Sequence, residues 1–115
     1  MYNRISSIKR NLSSFSSSDE LRREILNVLD ETTDRPEVGK YYTFLHMPNK
    51  RIHHDRHPLV ATTKMKDWGF SGVNFNSKKY GNYDWNSVKS KYHSIRQNEL
   101  SDLVEMRFGK YYLNR

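Results

Sequence analysis

The sequence contains no cysteine and few aliphatic residues, and both absences narrow what the chain can be. Without cysteine, disulfide bonds and thiolate metal sites are excluded. Only 35% of the 115 residues are hydrophobic, whereas a typical soluble domain is about 45–50% apolar. No apolar run approaches the roughly 20 residues of a membrane span, and the N-terminus lacks the apolar core of a signal peptide. We therefore expect a soluble, intracellularly made protein with one small core.

The residues that are present point to a small antiparallel sheet. The 15 aromatic residues must supply much of the core, because each large ring buries about 150–250 Å². Aromatic and β-branched residues, broken by proline and glycine, concentrate between Tyr41 and Phe75. This pattern predicts strands over 41–47, 58–64 and 70–75, and a basic turn over 78–82. We expect four of the rings to pack inside: Trp68, Phe70, Phe75 and Trp85.

Helices are predicted on both sides of this sheet. Ser17 and Glu20 have the spacing of a capping box, and a stripe of Leu21, Ile25, Val28 and Leu29 follows. Asp84 is placed to cap a second helix, which would carry Trp85, Val88, Tyr92 and Ile95 on one side. Leu100, Leu103 and Val104 predict one or two further helical turns, and 110–113 is a candidate edge strand.

The first 18 residues differ from the rest. Ile5, Ile8 and Leu12 have helical spacing, Arg4 and Lys9 lie between them, and a serine-rich segment follows. A helix this short is not stable alone. We therefore predict a flexible basic arm over residues 1–18 that orders on a partner, followed by one α+β domain over residues 19–115. A simple disordered terminus is the alternative.

Charge indicates the kind of partner. Twenty lysines and arginines against 13 acidic residues give a net charge of +7. A basic protein suits an acidic protein, a nucleic acid or an anionic surface. Lysines also alternate with aromatic residues around Trp68 and Tyr80, a combination that stacks bases and contacts phosphates. An ordinary solvated surface explains scattered lysines equally well.

The sequence gives little support for a catalytic site or a metal site. The best cluster contains His46, His53, His54, Asp55 and His57, but its spacing matches no zinc motif and Arg56 adds repulsive charge. No nucleophile elbow or phosphate-binding glycine loop is present. We predict a non-enzymatic protein with no cofactor, no metal site and no small-molecule substrate. The histidine segment then serves as a polar loop that contacts a partner.

Three short patterns resemble a known family. Gly39 precedes an aromatic strand with Tyr41, Tyr42 and Phe44; residues 55–60 are Asp-Arg-His-Pro-Leu-Val; and residues 69–74 are Gly-Phe-Ser-Gly-Val-Asn. Together they resemble small virion structural proteins of contractile-tailed bacteriophages. The resemblance implies a building block of the phage particle, present in multiple symmetric copies, and implies no catalytic residues.

These observations combine into one expectation. The fold is α+β, with a small, strongly bent antiparallel sheet like a partial barrel of the Src-homology-3 type, an N-terminal helix and C-terminal helical turns. The function is a virion component of the tail, baseplate or neck, made in the host cytoplasm, that docks other virion proteins. A small nucleic-acid-binding protein of phage origin is the alternative. The predicted partner-binding residues are Arg4, Ile5, Ile8, Lys9, Leu12, His53, His54, Arg56, Lys78, Lys79 and Tyr80.

Overall fold

A computed structural model describes residues 4–11, 17–47, 57–75 and 78–105. Within them the chain forms three α-helices, six strands and one 3₁₀ turn, and the predicted α+β class is confirmed. The helices are α1 (Ser6–Arg10), α2 (Ser18–Val28) and α3 (Gln97–Glu105). The strands are β1 (Thr32–Thr33), β2 (Tyr41–Thr43), β3 (Leu59–Met65), β4 (Gly69–Asn74), β5 (Lys79–Asp84) and β6 (Tyr92–Ile95), and the 3₁₀ turn is Trp85–Ser87.

All strand pairs are antiparallel, in the order β1-β6-β2-β3-β4-β5. β3, β4 and β5 follow one another as two hairpins, whereas β6 returns to lie between β1 and β2. The sheet does not close, so β1 and β5 are its two edges. β3 carries an irregularity between Thr62 and Lys64, and such bulges bend a strand.

Helix α2 begins and packs as its sequence predicts. The Ser17 hydroxyl accepts a hydrogen bond from the Glu20 backbone N–H at 3.1 Å, which satisfies a donor of the first helical turn. Leu21, Ile25 and Leu29 are buried. The Ser17 cap and the apolar stripe are therefore confirmed.

The sheet buries side chains on both faces, because successive residues of a strand point to opposite sides. One face carries an aliphatic cluster with the helices, to which β3 contributes Leu59 and β6 contributes Ile95. The other face carries an aromatic cluster, to which the same strands contribute Val60 and Tyr92. The remaining buried members of the aliphatic cluster are Ile5, Ile8, Leu21, Ile25, Leu29 and Leu103, and those of the aromatic cluster are Tyr42, Phe44, Phe70 and Tyr83.

Three secondary-structure predictions are wrong. The strand predicted over 41–47 ends at Thr43, and His46 forms only an isolated bridge with Val88. Residues 92–95 form β6, not a continuation of a helix from Asp84. Tyr92 and Ile95 are three residues apart and pack on opposite faces of the sheet. Their spacing resembles that of a helix face because both faces of β6 are buried. Residues 79–84 form a full strand where a basic turn was expected. The helix predicted around Leu100 and Leu103 is confirmed as α3, and residues 110–113 lie outside the described residues.

The N-terminal segment is part of the fold. Ile5 is fully buried and Ile8 nearly so in the aliphatic cluster. Helix α1 has five residues and no side-chain cap, so it depends on tertiary packing. This corrects the partner-docking role predicted for these two side chains. The predicted flexibility of residues 1–18 stays a prediction.

Candidate docking surface

The turn between β3 and β4 presents large apolar side chains to solvent. Asp67 and Trp68 form a two-residue connection, closed by the Lys66 N–H, which donates to the Gly69 C=O at 2.8 Å. Trp68 is 46% exposed and Met65 is 38% exposed. The burial predicted for Trp68 is therefore wrong, because a two-residue hairpin tip extends beyond both clusters. Phe70 is fully buried, whereas Phe75 and Trp85 are half-buried.

Trp85 holds this tip in place. Its indole N–H donates to the Asp67 C=O at 2.8 Å, and its backbone N–H donates to the Trp68 C=O at 3.0 Å. The Trp85 ring system also lies against Arg35, whose guanidinium carbon is 4.4 Å from the ring centroid. The tip therefore has a defined position relative to the sheet.

The turn between β4 and β5 presents a basic end. Lys78 has a φ of 62°, in the left-handed region that favours glycine. Its N–H donates to the Asn74 C=O at 2.7 Å. Lys78, Lys79 and Tyr80 are all exposed, as predicted, and Tyr80 is 59% exposed. The Tyr80 hydroxyl forms a 2.7 Å hydrogen bond with Thr63 Oγ1, which ties β5 to β3.

Between the two turns, the sheet register brings polar side chains together. Lys64 pairs with Ser71, and Ser71 pairs with Asn82, so the three side chains share one face. The Ser71 hydroxyl donates to Asn82 Oδ1 at 2.7 Å. We call the exposed side chains of β3, β4 and β5 and their two turns the hairpin surface: Thr63, Lys64, Met65, Lys66, Asp67, Trp68, Lys78, Lys79, Tyr80, Asn82 and Asp84.

Most cations on the hairpin surface differ from those on the helical side in their contacts with described acidic side chains. Within the described residues, Lys64, Lys66 and Lys78 form no ion pair. By contrast, the Lys9 ammonium lies 3.1 Å from an Asp102 oxygen and also contacts Glu105. These contacts raise the pKa of Lys9, and the hydrogen bond that Lys9 donates to Glu105 raises it most strongly. Three of the four lysines on the hairpin surface therefore carry a positive charge that no described acidic side chain neutralises.

The Arg4 side chain is buried in the fold and does not face solvent. Its Nε is 2.8 Å from Glu99 Oε2, and its Nη2 is 2.8 Å from Glu99 Oε1. The side chains of Arg4 and Glu99 are 7% and 0% exposed. Asp30 and Glu31 also lie within 3.5 Å and 3.3 Å of Arg4. The docking role predicted for Arg4 is corrected here, because its guanidinium holds the N-terminal segment to α3.

Hydrogen bonds determine the protonation state of this pair. Burial by itself would raise the pKa of Glu99, but hydrogen bonds from the Arg4 side chain and the backbone N–H groups of Arg96 and Arg4 lower it overall. The hydrogen bond to Glu99 raises the pKa of Arg4. Both groups therefore stay charged, and the pair is bidentate, which is the strong geometry for arginine and carboxylate.

The aromatic cluster contains two groups with shifted pKa values. His46 lies beside Tyr83, with ring centroids 5.1 Å apart, and burial lowers its pKa against an opposing effect of Asp84. Burial raises the pKa of Tyr92 to about 12. Tyr92 also lines a cleft of about 150 Å³ with Asp34, Arg35, Trp85, Val88 and Ser90. The lining thus includes one cation, Arg35, and one carboxylate, Asp34.

Four predicted partner-binding residues, Leu12, His53, His54 and Arg56, lie outside the described residues, as does Asp55. Among the residues that the structure does describe, no group of three histidine or acidic side chains could hold a metal ion. Nor is any helix of this part long and apolar enough to cross a membrane. Sequence reasoning missed Met65 and Asn82 as surface residues; the Asp67-Trp68 turn and the alternation along β5 were the signals that could have indicated them.

Comparison with known proteins finds no match to a family model, a curated protein or a solved structure.

Proposed function

We propose that this protein is a non-enzymatic structural component of a tailed-phage virion, in the tail, baseplate or neck. In this proposal it is present in multiple symmetric copies and docks acidic neighbouring virion proteins through the hairpin surface. The basic loop around Lys78 keeps the role predicted for it. Arg4, Ile5 and Ile8 are used inside the fold, so the proposal no longer relies on them.

One observation carries this proposal: β3, β5 and the two hairpin turns expose apolar side chains and four lysines, and three of these lysines form no ion pair with a described residue. Trp68 is 46% exposed and Tyr80 is 59% exposed, and aromatic residues are enriched where proteins bind one another. The lysines around them attract an acidic partner and orient its approach. The sequence resemblance to small virion proteins supplies the class of assembly. Its Gly69–Asn74 part forms β4, at the centre of this region.

The finer expectation for the fold, a partial barrel of the Src-homology-3 type, stays a prediction. Its support is the bend that β4 requires. A Cβ added to Gly69 would lie 2.0 Å from the Tyr83 carbonyl oxygen, so the two strands approach too closely for any other residue.

Mass spectrometry of purified phage particles tests the proposal. We expect this chain to be present in stoichiometric amounts, and in more than one copy per particle. A variant with Lys78→Glu and Lys79→Glu should fold normally but be depleted from particles. The matched control carries Arg10→Glu and Lys89→Glu, which change the net charge equally at exposed positions outside the hairpin surface. Absence of the wild-type chain from particles would refute the proposal.

Nucleic-acid binding is the second candidate, and the exposed Trp68 and Tyr80 beside four lysines favour it. Rings stack on bases, and lysines neutralise phosphates. A nucleic-acid binder releases counterions, so its affinity falls steeply with salt. If the virion role is correct, we expect purified protein to bind DNA only at the non-specific level, about 10⁻⁴–10⁻⁶ M at physiological salt. Submicromolar, salt-sensitive binding that Lys78→Glu with Lys79→Glu abolishes, together with normal incorporation into particles, would favour the second candidate.

A further inference from the structure

The two edges of the sheet differ in their ability to accept another strand. β1 has only two residues, Thr32 and Thr33, and a very short edge strand offers little to pair with. β5 has six residues, Lys79–Asp84, with no proline and no irregularity in its pairing with β4. No strand in residues 4–11, 17–47, 57–75 and 78–105 pairs with its outer side. β5 is therefore the open edge of the described sheet.

The register shows which backbone groups point outward from this edge. The Trp85 N–H donates to the Trp68 C=O, and in an antiparallel pair the hydrogen-bonded residues alternate. The backbone groups of Tyr83, Gly81 and Lys79 consequently face β4. Those of Tyr80 and Asn82 face away from the sheet, as does the N–H of Asp84, whose C=O accepts from the Ser87 hydroxyl at 2.8 Å.

Charge selects the kind of segment that would fit. Lys78 and Lys79 stand at the beginning of β5, and Lys64 and Lys66 lie on the neighbouring hairpin. Residues 59–84 contain these four lysines and only two aspartates. A second copy of this chain, with a net charge of +7, would bring like charges together at such an edge.

We propose that β5 accepts an extended acidic segment of a partner protein as a further strand, with acidic residues beside Lys78 and Lys79. The outward N–H and C=O groups of Tyr80 and Asn82 supply the main-chain hydrogen bonds, and the lysines select the sequence, as in other cases of strand addition. This inference deepens the proposed function and rests on it, because it names the part of the hairpin surface that does the docking.

Amide hydrogen exchange on the full chain tests the proposal. The probe is a synthetic peptide of alternating glutamate and threonine, blocked at both ends, and its control has lysine in place of glutamate. We expect the acidic peptide to slow exchange at Tyr80 and Asn82, and to bind at least about tenfold more tightly than the control, a difference of about 1.4 kcal/mol. Unchanged exchange at both residues would overturn the proposal, and so would equal binding of the two peptides.

Asn82→Pro and Asn82→Ala provide a matched pair of variants. Both remove the hydrogen bond between the side chains of Ser71 and Asn82, but only proline removes the outward N–H. Because this N–H does not bond to β4, proline is tolerated at the edge. Asn82→Pro should abolish peptide binding and Asn82→Ala should retain it. If Asn82→Pro does not fold, the exchange measurement on wild-type protein still tests whether a strand adds to β5.

The outcomes separate this inference from the proposed function. If the chain is found in particles and Asn82→Pro is incorporated as well as Asn82→Ala, the virion role stands and strand addition at β5 is wrong. If the acidic peptide binds at β5 but particles lack the chain, the edge is a docking site and the virion role is wrong. Concentration-dependent self-association that Asn82→Pro abolishes would show that a second copy occupies β5, against the proposal.

Discussion

The helical side of the molecule and its hairpin region use charge in opposite ways. Residues 4–11, 17–31 and 96–105 contain six cationic and eight anionic side chains, and ion pairs such as Arg4–Glu99 and Lys9–Asp102 join separate segments there. In the hairpin region, residues 59–84, three of the four lysines form no ion pair with any described residue. Charge on the helical side joins separate segments, whereas most lysines of the hairpin region have no ion pair with a described residue.

The two regions also differ in the kind of core they bury. The helices pack aliphatic side chains against one face of the sheet. The other face buries rings from the hairpins and from residues in or next to β2 and β6, including Phe44 and Phe70 with centroids 5.6 Å apart. Edge-to-face rings of this kind add about 0.5–1.5 kcal/mol per pair beyond their buried area. A sheet with few aliphatic residues can therefore be covered on both faces and still leave its hairpin tips exposed.

Glu99→Gln should have the largest effect, because it leaves the buried Arg4 without its carboxylate. We expect the free energy of unfolding to fall by about 3–5 kcal/mol, a large part of the roughly 5–15 kcal/mol available to a domain. Chemical denaturation measures this loss. The double variant Arg4→Met with Glu99→Leu should recover most of the stability, since apolar replacements of such pairs are well tolerated. A loss below about 1 kcal/mol for Glu99→Gln would show that the pair does not hold the helical side together.

Lys78 and Lys79 should respond to glycine with opposite signs. Lys78→Gly relieves a left-handed conformation that costs other residues roughly 1–2 kcal/mol, so we expect a gain of about 1 kcal/mol. Lys79→Gly places glycine inside β5 and should lose about 0.5–1 kcal/mol. Each change removes one lysine, so charge is matched. Thermal unfolding of both variants measures the difference, and a shift of the same sign in both would contradict the backbone assignment.

Acid should destabilise the two regions in separate pH windows. Burial lowers the pKa of His46 below 6.5 in the folded protein, so the unfolded chain binds more protons and stability falls as pH drops through 6.5. Glu99 has a pKa below 4.5 when folded, so its contribution is present above pH 4.5 and is lost as pH falls further. Denaturation curves across this range measure both. His46→Gln should remove only the first decline, and its persistence in that variant would contradict this assignment.

Single lysine replacements should give the smallest effects. Lys9→Gln removes contacts with Asp102 and Glu105, so we expect a slight loss of stability that shrinks at high salt, because salt screens exposed pairs. Lys66→Gln removes a lysine with no ion pair to any described residue and should cause no such loss. Denaturation at low and high salt compares the two. An equal, salt-sensitive loss in both variants would remove the distinction between the helical side and the hairpin surface.

Some of this architecture was predictable because it depends on neighbours in sequence. The hydrogen bond of Ser17 to the Glu20 N–H and the stripe of Leu21 and Ile25 belong to one helix, and local spacing determines both. The exposure of Lys78, Lys79 and Tyr80 was predicted for a similar reason, since charged residues in a hairpin turn remain in water. The predictions for β3 and β4 lie within one residue of the observed strands, because glycine and proline mark their ends.

Other features depend on contacts between residues far apart in sequence. The bidentate pair of Arg4 and Glu99 joins positions separated by 95 residues, and no local pattern links them. Trp68 has the large apolar side chain of a typical core residue. It nevertheless lies at a two-residue turn that extends past the core. β5 is an open edge because β6 pairs with β2 and β1 and not with β5. Local sequence patterns do not indicate this pairing.

By itself, the sequence determined a basic α+β chain without cysteine, a capped helix α2, and a small sheet rich in aromatic residues. Only the tertiary structure decided that residues 92–95 are a central strand, that the N-terminal residues from Arg4 to Ile8 belong to the core, and which lysines keep no acidic neighbour. The physical reason is that propensity and capping act over a few residues. Burial on two faces of a sheet, and the pairing of charges, depend instead on which distant segments meet.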